Sequence, residues 1–142
     1  MFMTRTALIA AGAFSLAGCG LTGPAHTEPP PPQVDATVTM GLVNFNPEAV
    51  AIQSGQTVQW RNTSPIAHTV TADKSMAASA ENVQLPPGAE SFHSGSIGAG
   101  EVWSYTFTVP GTYRYVCLPH EKKGMIGTVI VRQGPVSPFW RS

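Results

Sequence analysis

Near its C-terminal end the chain reads Tyr115-Val116-Cys117-Leu118-Pro119-His120-Glu121-Lys122-Lys123-Gly124-Met125. A thiolate, an imidazole and a thioether therefore share eleven residues, at the cysteine and three and eight positions beyond it. Fully extended, Cys117 and His120 would hold their Cα atoms roughly 10 Å apart, whereas two donors to one metal must each come within about 2.0–2.3 Å of it. The chain has to fold back here. Pro119 fixes one φ beside the histidine, and Gly124 permits a tight reversal before Met125. Soft and borderline donors in one turn suit a copper ion that stays bound as both Cu(I) and Cu(II). With 4 His and 5 Met in 142 residues, chance places both partners at these offsets from a given Cys roughly once in a thousand.

Such a turn needs a frame, and the rest of the chain reads as strands. Val34–Met40, Ala49–Gln53, Thr57–Asn62 and Ala67–Ala72 are successive candidates separated by turn signals such as Asn46-Pro47 and Ser54-Gly55. The clearest is Val102–Val109, which alternates Trp103, Tyr105, Phe107 and Val109 on one face with Ser104, Thr106 and Thr108 on the other. After the turn at Pro110-Gly111, Thr112–Cys117 returns, and Ile126–Arg132 closes the series. Between Asp73 and Ser96 the pattern is irregular, with a helical turn expected around 76–81 and a short strand near 90–92. Seven or eight short strands without a long helix predict an all-β Greek-key β-sandwich.

Residues 1–18 stand apart from that domain. Arg5 and the apolar run Ala7–Leu16 make an export signal, too short to span a bilayer. Leu16-Ala17-Gly18-Cys19 resembles the lipobox of bacterial lipoproteins, which predicts cleavage before Cys19 and its lipidation. Residues 19–33, with the run Pro29–Pro32, form a semi-rigid spacer, and His26 within it is a solvated linker residue. The domain itself occupies 34–133, and 134–142 are a C-terminal tail. The two cysteines thus have separate tasks, a lipid site at Cys19 and a metal thiolate at Cys117, so no disulfide is expected. The chain is predicted to be exported, periplasmic or at the cell surface, and anchored to the membrane.

A trigonal copper site needs a second imidazole. His68, alone among the remaining histidines, sits between candidate strands and can be brought to one end of a sandwich. His93 and Met76 are expected at the surface. Charged residues make up 11% of the sequence and the formal net charge is zero, which argues against a nucleic-acid partner.

From about Val34 to Arg132 the chain resembles the plastocyanin-like cupredoxins, the small type 1 blue copper proteins. The resemblance rests on Phe45-Asn46-Pro47, Gly55-Gln56-Thr57-Val58-Gln59-Trp60, His68-Thr69-Val70 and Pro110 through Cys117, together with the Cys-x2-His-x4-Met loop. It implies one copper ion held by His68, Cys117 and His120 with Met125 as a long axial ligand. It also implies a monomeric one-electron carrier that meets redox proteins transiently, with electrons passing through His120 at the exposed edge. Pro65, Ile66, Pro119 and Met125 are expected to form an apolar collar there, and Lys122 and Lys123 lie beside it. The family usually has Asn after the first histidine; here it is Thr69, which leaves the tie between the two ligand loops open. An enzyme would need more metal sites than these histidines allow. The rival reading is an extracytoplasmic copper-binding or delivery protein, although such carriers rely on Met-rich or His-rich clusters rather than a buried Cys. Structural zinc would leave Met125 without a purpose.

Overall fold

A computed structural model describes residues 33–134; the expectations for the export signal, Cys19, the proline run, His26 and nearly all of the tail lie outside the described residues. Nine strands form within them: β1 (Ala36–Met40), β2 (Phe45–Asn46), β3 (Ala49–Gln53), β4 (Thr57–Asn62), β5 (Thr71–Ala72), β6 (Phe92–His93), β7 (Val102–Thr106), β8 (Gly111–Val116) and β9 (Ile126–Arg132). They make two sheets, in the orders β2-β1-β4-β7 and β3-β9-β8-β5-β6. Most pairs are antiparallel, but β1 runs parallel to β4 and β3 parallel to β9. The chain switches sheets repeatedly, as a Greek-key sandwich requires.

The expected strands at 49–53, 57–62 and 126–132 are found over those residues. Val34–Met40 shortens to Ala36–Met40, Thr112–Cys117 shifts to Gly111–Val116, and three further expectations change. The strand expected over Ala67–Ala72 narrows to Thr71–Ala72, because the Val70 N–H donates to Ser94 Oγ instead of to a neighbouring strand. His68 keeps only an isolated bridge to Ile97. The strand expected to reach Val109 ends at Thr106, although its alternation continues to a fully buried Phe107. Within 73–96 the helical turn is a 3₁₀ turn at Ala80–Asn82 and the short strand falls at Phe92–His93. The strand count exceeds seven or eight because β2 is a two-residue strand that no periodicity reveals.

The core lies between the sheets. Val38, Met40, Val58 and Trp60 from the first sheet meet Tyr115, Val129 and Val131 from the second, all buried. Trp60 ties the two layers together: its Nε1–H donates to Tyr115 Oη at 3.0 Å, and the rings stand edge to face at 5.3 Å. A buried tryptophan with its N–H satisfied avoids the desolvation cost that such a group otherwise carries. On the other side of Tyr115, a Cβ at Gly127 would come within 2.2 Å of Cζ. Only glycine lets β9 pass this ring, and β9 begins one residue after Met125. Packing therefore fixes where the ligand-bearing loop returns to the sheet.

Candidate metal centre

The loop between β8 and β9 is built from its own backbone. Leu118–Lys123 winds into 3₁₀ turns with Pro119 in the first of them, where a missing N–H costs nothing. Gly124 ends it in the left-handed region at φ +82°, the reversal expected of that glycine. His120 N–H donates to Cys117 O, Met125 N–H to His120 O, and Cys117 N–H to Met125 O at 3.1 Å. These bonds close the loop on itself and bring Cys117, His120 and Met125 to one end of the sandwich. Cys117 and Met125 are fully buried; His120 is half-buried.

His68 arrives from the opposite sheet's side by a loop that distant groups hold. Its N–H and C=O both bond Ile97. Asn62, the last residue of β4, is fully buried and donates its Nδ2 to Ile66 O at 2.7 Å and Ile97 O at 3.0 Å. Thr63 bonds Met40 O through both N–H and hydroxyl. His68 is thereby buried completely.

The donors converge. Cys117 Sγ lies 3.5 Å from His68 Nδ1 and 3.4 Å from His120 Nδ1, the two imidazole centroids are 4.9 Å apart, and all three donor atoms fall within 4.8 Å of one another. Bonds of about 2.0 Å to nitrogen and 2.3 Å to sulfur in a trigonal plane would place N and S about 3.7 Å apart. The residues present fit a metal ion of that kind. Two nitrogens and one sulfur are the donor set that selects copper over hard, oxygen-loving ions.

Electrostatics favour the same use. Burial, reinforced by His120, pushes the His68 pKa below its ordinary value despite an opposing bond to the Gly41 carbonyl, so the ring is kept neutral. Burial pushes the Cys117 thiol up, against hydrogen bonds from Thr69 and His120. A metal entering this site therefore displaces the thiol proton.

Thr69 makes the tie that the usual Asn would make. Its N–H donates to Cys117 Sγ at 3.4 Å and its Oγ1 accepts from Leu118 N–H at 2.9 Å, so one residue connects both ligand loops. Thr71 Oγ1 backs it at 3.3 Å and also meets Nδ1 of the exposed His93 at 2.8 Å. His93 is thus at the surface, as expected, and so is Met76.

Sequence reasoning missed Glu121. Directly after His120, it is buried and accepts from Ala78 N–H at 2.7 Å, Ser79 N–H at 3.0 Å and Asn82 Nδ2 at 2.9 Å. Burial alone would raise its pKa, but the bonds from Asn82, Ala78 and Ser79 outweigh it and hold the carboxyl below the usual range. The carboxylate pins the ligand loop to the irregular 73–82 segment. A Glu in a charged-looking Glu-Lys-Lys run gives no signal of that. Among the described residues no buried side-chain polar atom lacks a partner.

The surface here differs from expectation in one residue. Met125 is fully buried and contributes nothing to an outer collar. Pro65, Ile66 and Pro119 are exposed near the two imidazoles, and Leu42 and Val43 join them from the β1–β2 turn, whose Gly41 carbonyl touches His68.

A two-sheet sandwich with two histidines and a cysteine gathered at one end is the build of a small cupredoxin. The chain belongs to the plastocyanin/azurin family of copper-binding proteins, whose profile matches residues 32–132. It is 34% identical over 103 residues to plastocyanin of Scenedesmus fuscus, covering 69% of this chain and all of that one. It is 31% identical over 122 residues to chloroplastic plastocyanin of Chlamydomonas reinhardtii, covering 83% and 77%. Among solved structures, a reduced amicyanin variant superposes with a TM-score of 0.54 at 25% identity, over 68% of this chain and 81% of that one. The protein is accordingly a copper protein with one type 1 ion, from a family of electron carriers and not of enzymes.

Proposed function

We propose that the protein is an exported, membrane-tethered blue copper electron carrier. In this reading His68, Cys117 and His120 hold the copper and Met125 supplies the long axial sulfur. The bound ion supplies one-electron exchange between Cu(I) and Cu(II). The chain's part is to keep the donors where both oxidation states accept them. Three donor atoms within 4.8 Å, two of them on fully buried residues braced from separate sheets, carry the proposal.

His120 is the port, since it alone of the three is half-exposed. Leu42, Val43, Pro65, Ile66 and Pro119 give it an apolar surround, suited to the small, weak contacts of transient redox encounters. Lys122 and Lys123, both exposed beside it, would steer an acidic partner only weakly through salt. Arg5, Ala7–Leu16 and the lipobox-like Leu16-Ala17-Gly18-Cys19 support export and lipidation at Cys19; among the described residues no helix is long and apolar enough to cross a membrane.

Adding Cu(II) to the purified domain tests the centre. Intense blue absorption with narrow parallel hyperfine splitting is expected, and a colourless product or an ordinary tetragonal signal would refute it. Cys117→Ser should remove the blue colour altogether, while Met125→Leu should keep it and move the potential. Mass spectrometry of membrane-extracted protein tests the tether: an acylated N-terminal Cys19 supports it, and an unmodified one excludes it.

A further inference from the structure

On the side of the His68 ring turned away from Cys117 stands a second buried constellation. Ser64 Oγ lies 2.8 Å from His68 Nε2. The same oxygen lies 2.9 Å from Asn62 Oδ1 and 3.1 Å from Ile66 O. A hydroxyl carries one proton and two lone pairs. Ile66 O can only accept. Asn62 Oδ1 can only accept as well, and its placement is settled by the rest of its amide: Nδ2 faces two carbonyls, Ile66 O and Ile97 O, while Oδ1 faces the Ser64 N–H at 2.9 Å. Turning the amide over would set two carbonyls against an oxygen and an N–H against an NH2.

Two acceptors thus compete for the single Ser64 proton, and none is left for His68. If the hydroxyl instead donated to Nε2, its oxygen would face Asn62 Oδ1 and Ile66 O with lone pairs alone. Nε2 must bring its own hydrogen and donate it to Ser64 Oγ. With the proton on Nε2, Nδ1 keeps its lone pair, and Nδ1 is the atom 3.5 Å from Cys117 Sγ. Asn62 and His68 are wholly inaccessible and Ser64 is 6% exposed, so no solvent molecule can take over the role.

We propose that Ser64, clamped by Asn62, is a positioning residue that fixes the tautomer and ring plane of His68 and presents Nδ1 for ligation. The proposal rests on the copper reading for its purpose, but the tautomer itself exists without metal. Partners on the far nitrogen of a ligating imidazole commonly change metal affinity by roughly 10- to 100-fold. All three residues lie within a seven-residue stretch, Asn62 to His68.

The test reads imidazole ¹⁵N shifts of the metal-free protein by long-range ¹H–¹⁵N correlation, then Cu(I) affinity by competition with a chromophoric chelator. The wild type should show a single His68 form protonated at Nε2. Ser64→Ala keeps the backbone N–H bond to Asn62 that closes the turn; it should show mixed tautomers and bind Cu(I) roughly 10- to 100-fold more weakly. Ser64→Thr, which keeps the hydroxyl, should restore both. Ser64→Cys, a weaker acceptor, should fall between and stands in for the alanine variant if that one does not fold. A wild type protonated at Nδ1, an alanine or cysteine variant that keeps the single Nε2–H form, or one that loses it at unchanged affinity overturns the proposal. Failure of the copper reading would appear separately, as a wild type that stays colourless with Cu(II).

Discussion

The two loops that meet at the centre are made in opposite ways. The loop after β8 carries three of the four candidate ligands and closes through bonds between Cys117, His120 and Met125 themselves, at sequence separations of eight or less. The loop after β4 carries His68 alone and depends on Ile97, Met40 and Gly41, roughly thirty residues away on either side. The first closes mainly on itself; the second adds to its own Asn62 and Ser64 bonds anchors on distant strands. Local closure lowers the entropy to be overcome in gathering ligands, whereas remote closure adds rigidity that the first loop lacks. Thr69 then ties the two loops together, and Glu121 ties the ligand loop outward to 78–82.

The comparison breaks most visibly at Asn62. Asn62→Ala leaves the Ser64 N–H unpaired in a buried turn and removes one of the two donors at each of Ile66 O and Ile97 O; at about 1–3 kcal/mol for the unpaired group and roughly 0.5–1.5 kcal/mol for each lost bond, the metal-free domain should lose about 3 kcal/mol in urea unfolding. A loss below about 1 kcal/mol would mean that the upstream loop does not depend on the Asn62 amide. Glu121→Gln should cost less, about 2 kcal/mol, because the amide retains one acceptor oxygen while turning a donor toward backbone N–H groups. Its copper loop should also become more open to amide hydrogen exchange around residues 118–123; unchanged protection there would show that the loop stands by its own bonds alone. Thr69→Val removes the acceptor for Leu118 N–H and Thr71 Oγ1 and should cost about 1 kcal/mol, with a measurable change in midpoint potential, since the adjacent N–H bonds the ligand sulfur. Thr69→Asn should retain the bond and the stability; if it behaves like valine, the hydroxyl is not the tie.

The same contrast explains what the sequence reveals. Cys117, His120 and Met125 could be read directly, because local closure writes itself as spacing. The alternation from Trp103 to Phe107 and the strands 49–53, 57–62 and 126–132 were legible for a similar reason, each having its partner surface encoded in its own period. His68 was reachable only by asking what the first three lacked. Ser64, Asn62 and Glu121 were not legible at all: a Ser, an Asn and a Glu in polar company look like solvated loop, and only the pairing of β4 and β1 and the packing of 73–82 turn them inward. The short strand β2 escaped because two residues have no period. Met125 was legible as a ligand candidate but not as a buried one, since spacing says nothing about which side of a turn faces water.

The parallel pairing of β1 with β4 and of β3 with β9 settles where the domain can be held. Ala36 stands beside Val58 and Met40 beside Asn62, while Arg132 stands beside Gln53 and Val116 beside Ile126. The first strand therefore starts, and the last one ends, at the pole opposite the ligand loops, where the bond from Ser54 N–H to Arg132 O extends the β3–β9 pairing. A handle at either end of the described residues, whether an acyl chain or a linker to an electrode, pulls from beneath. The half-exposed edge of His120 then faces outward, like the tip of a probe gripped by its base.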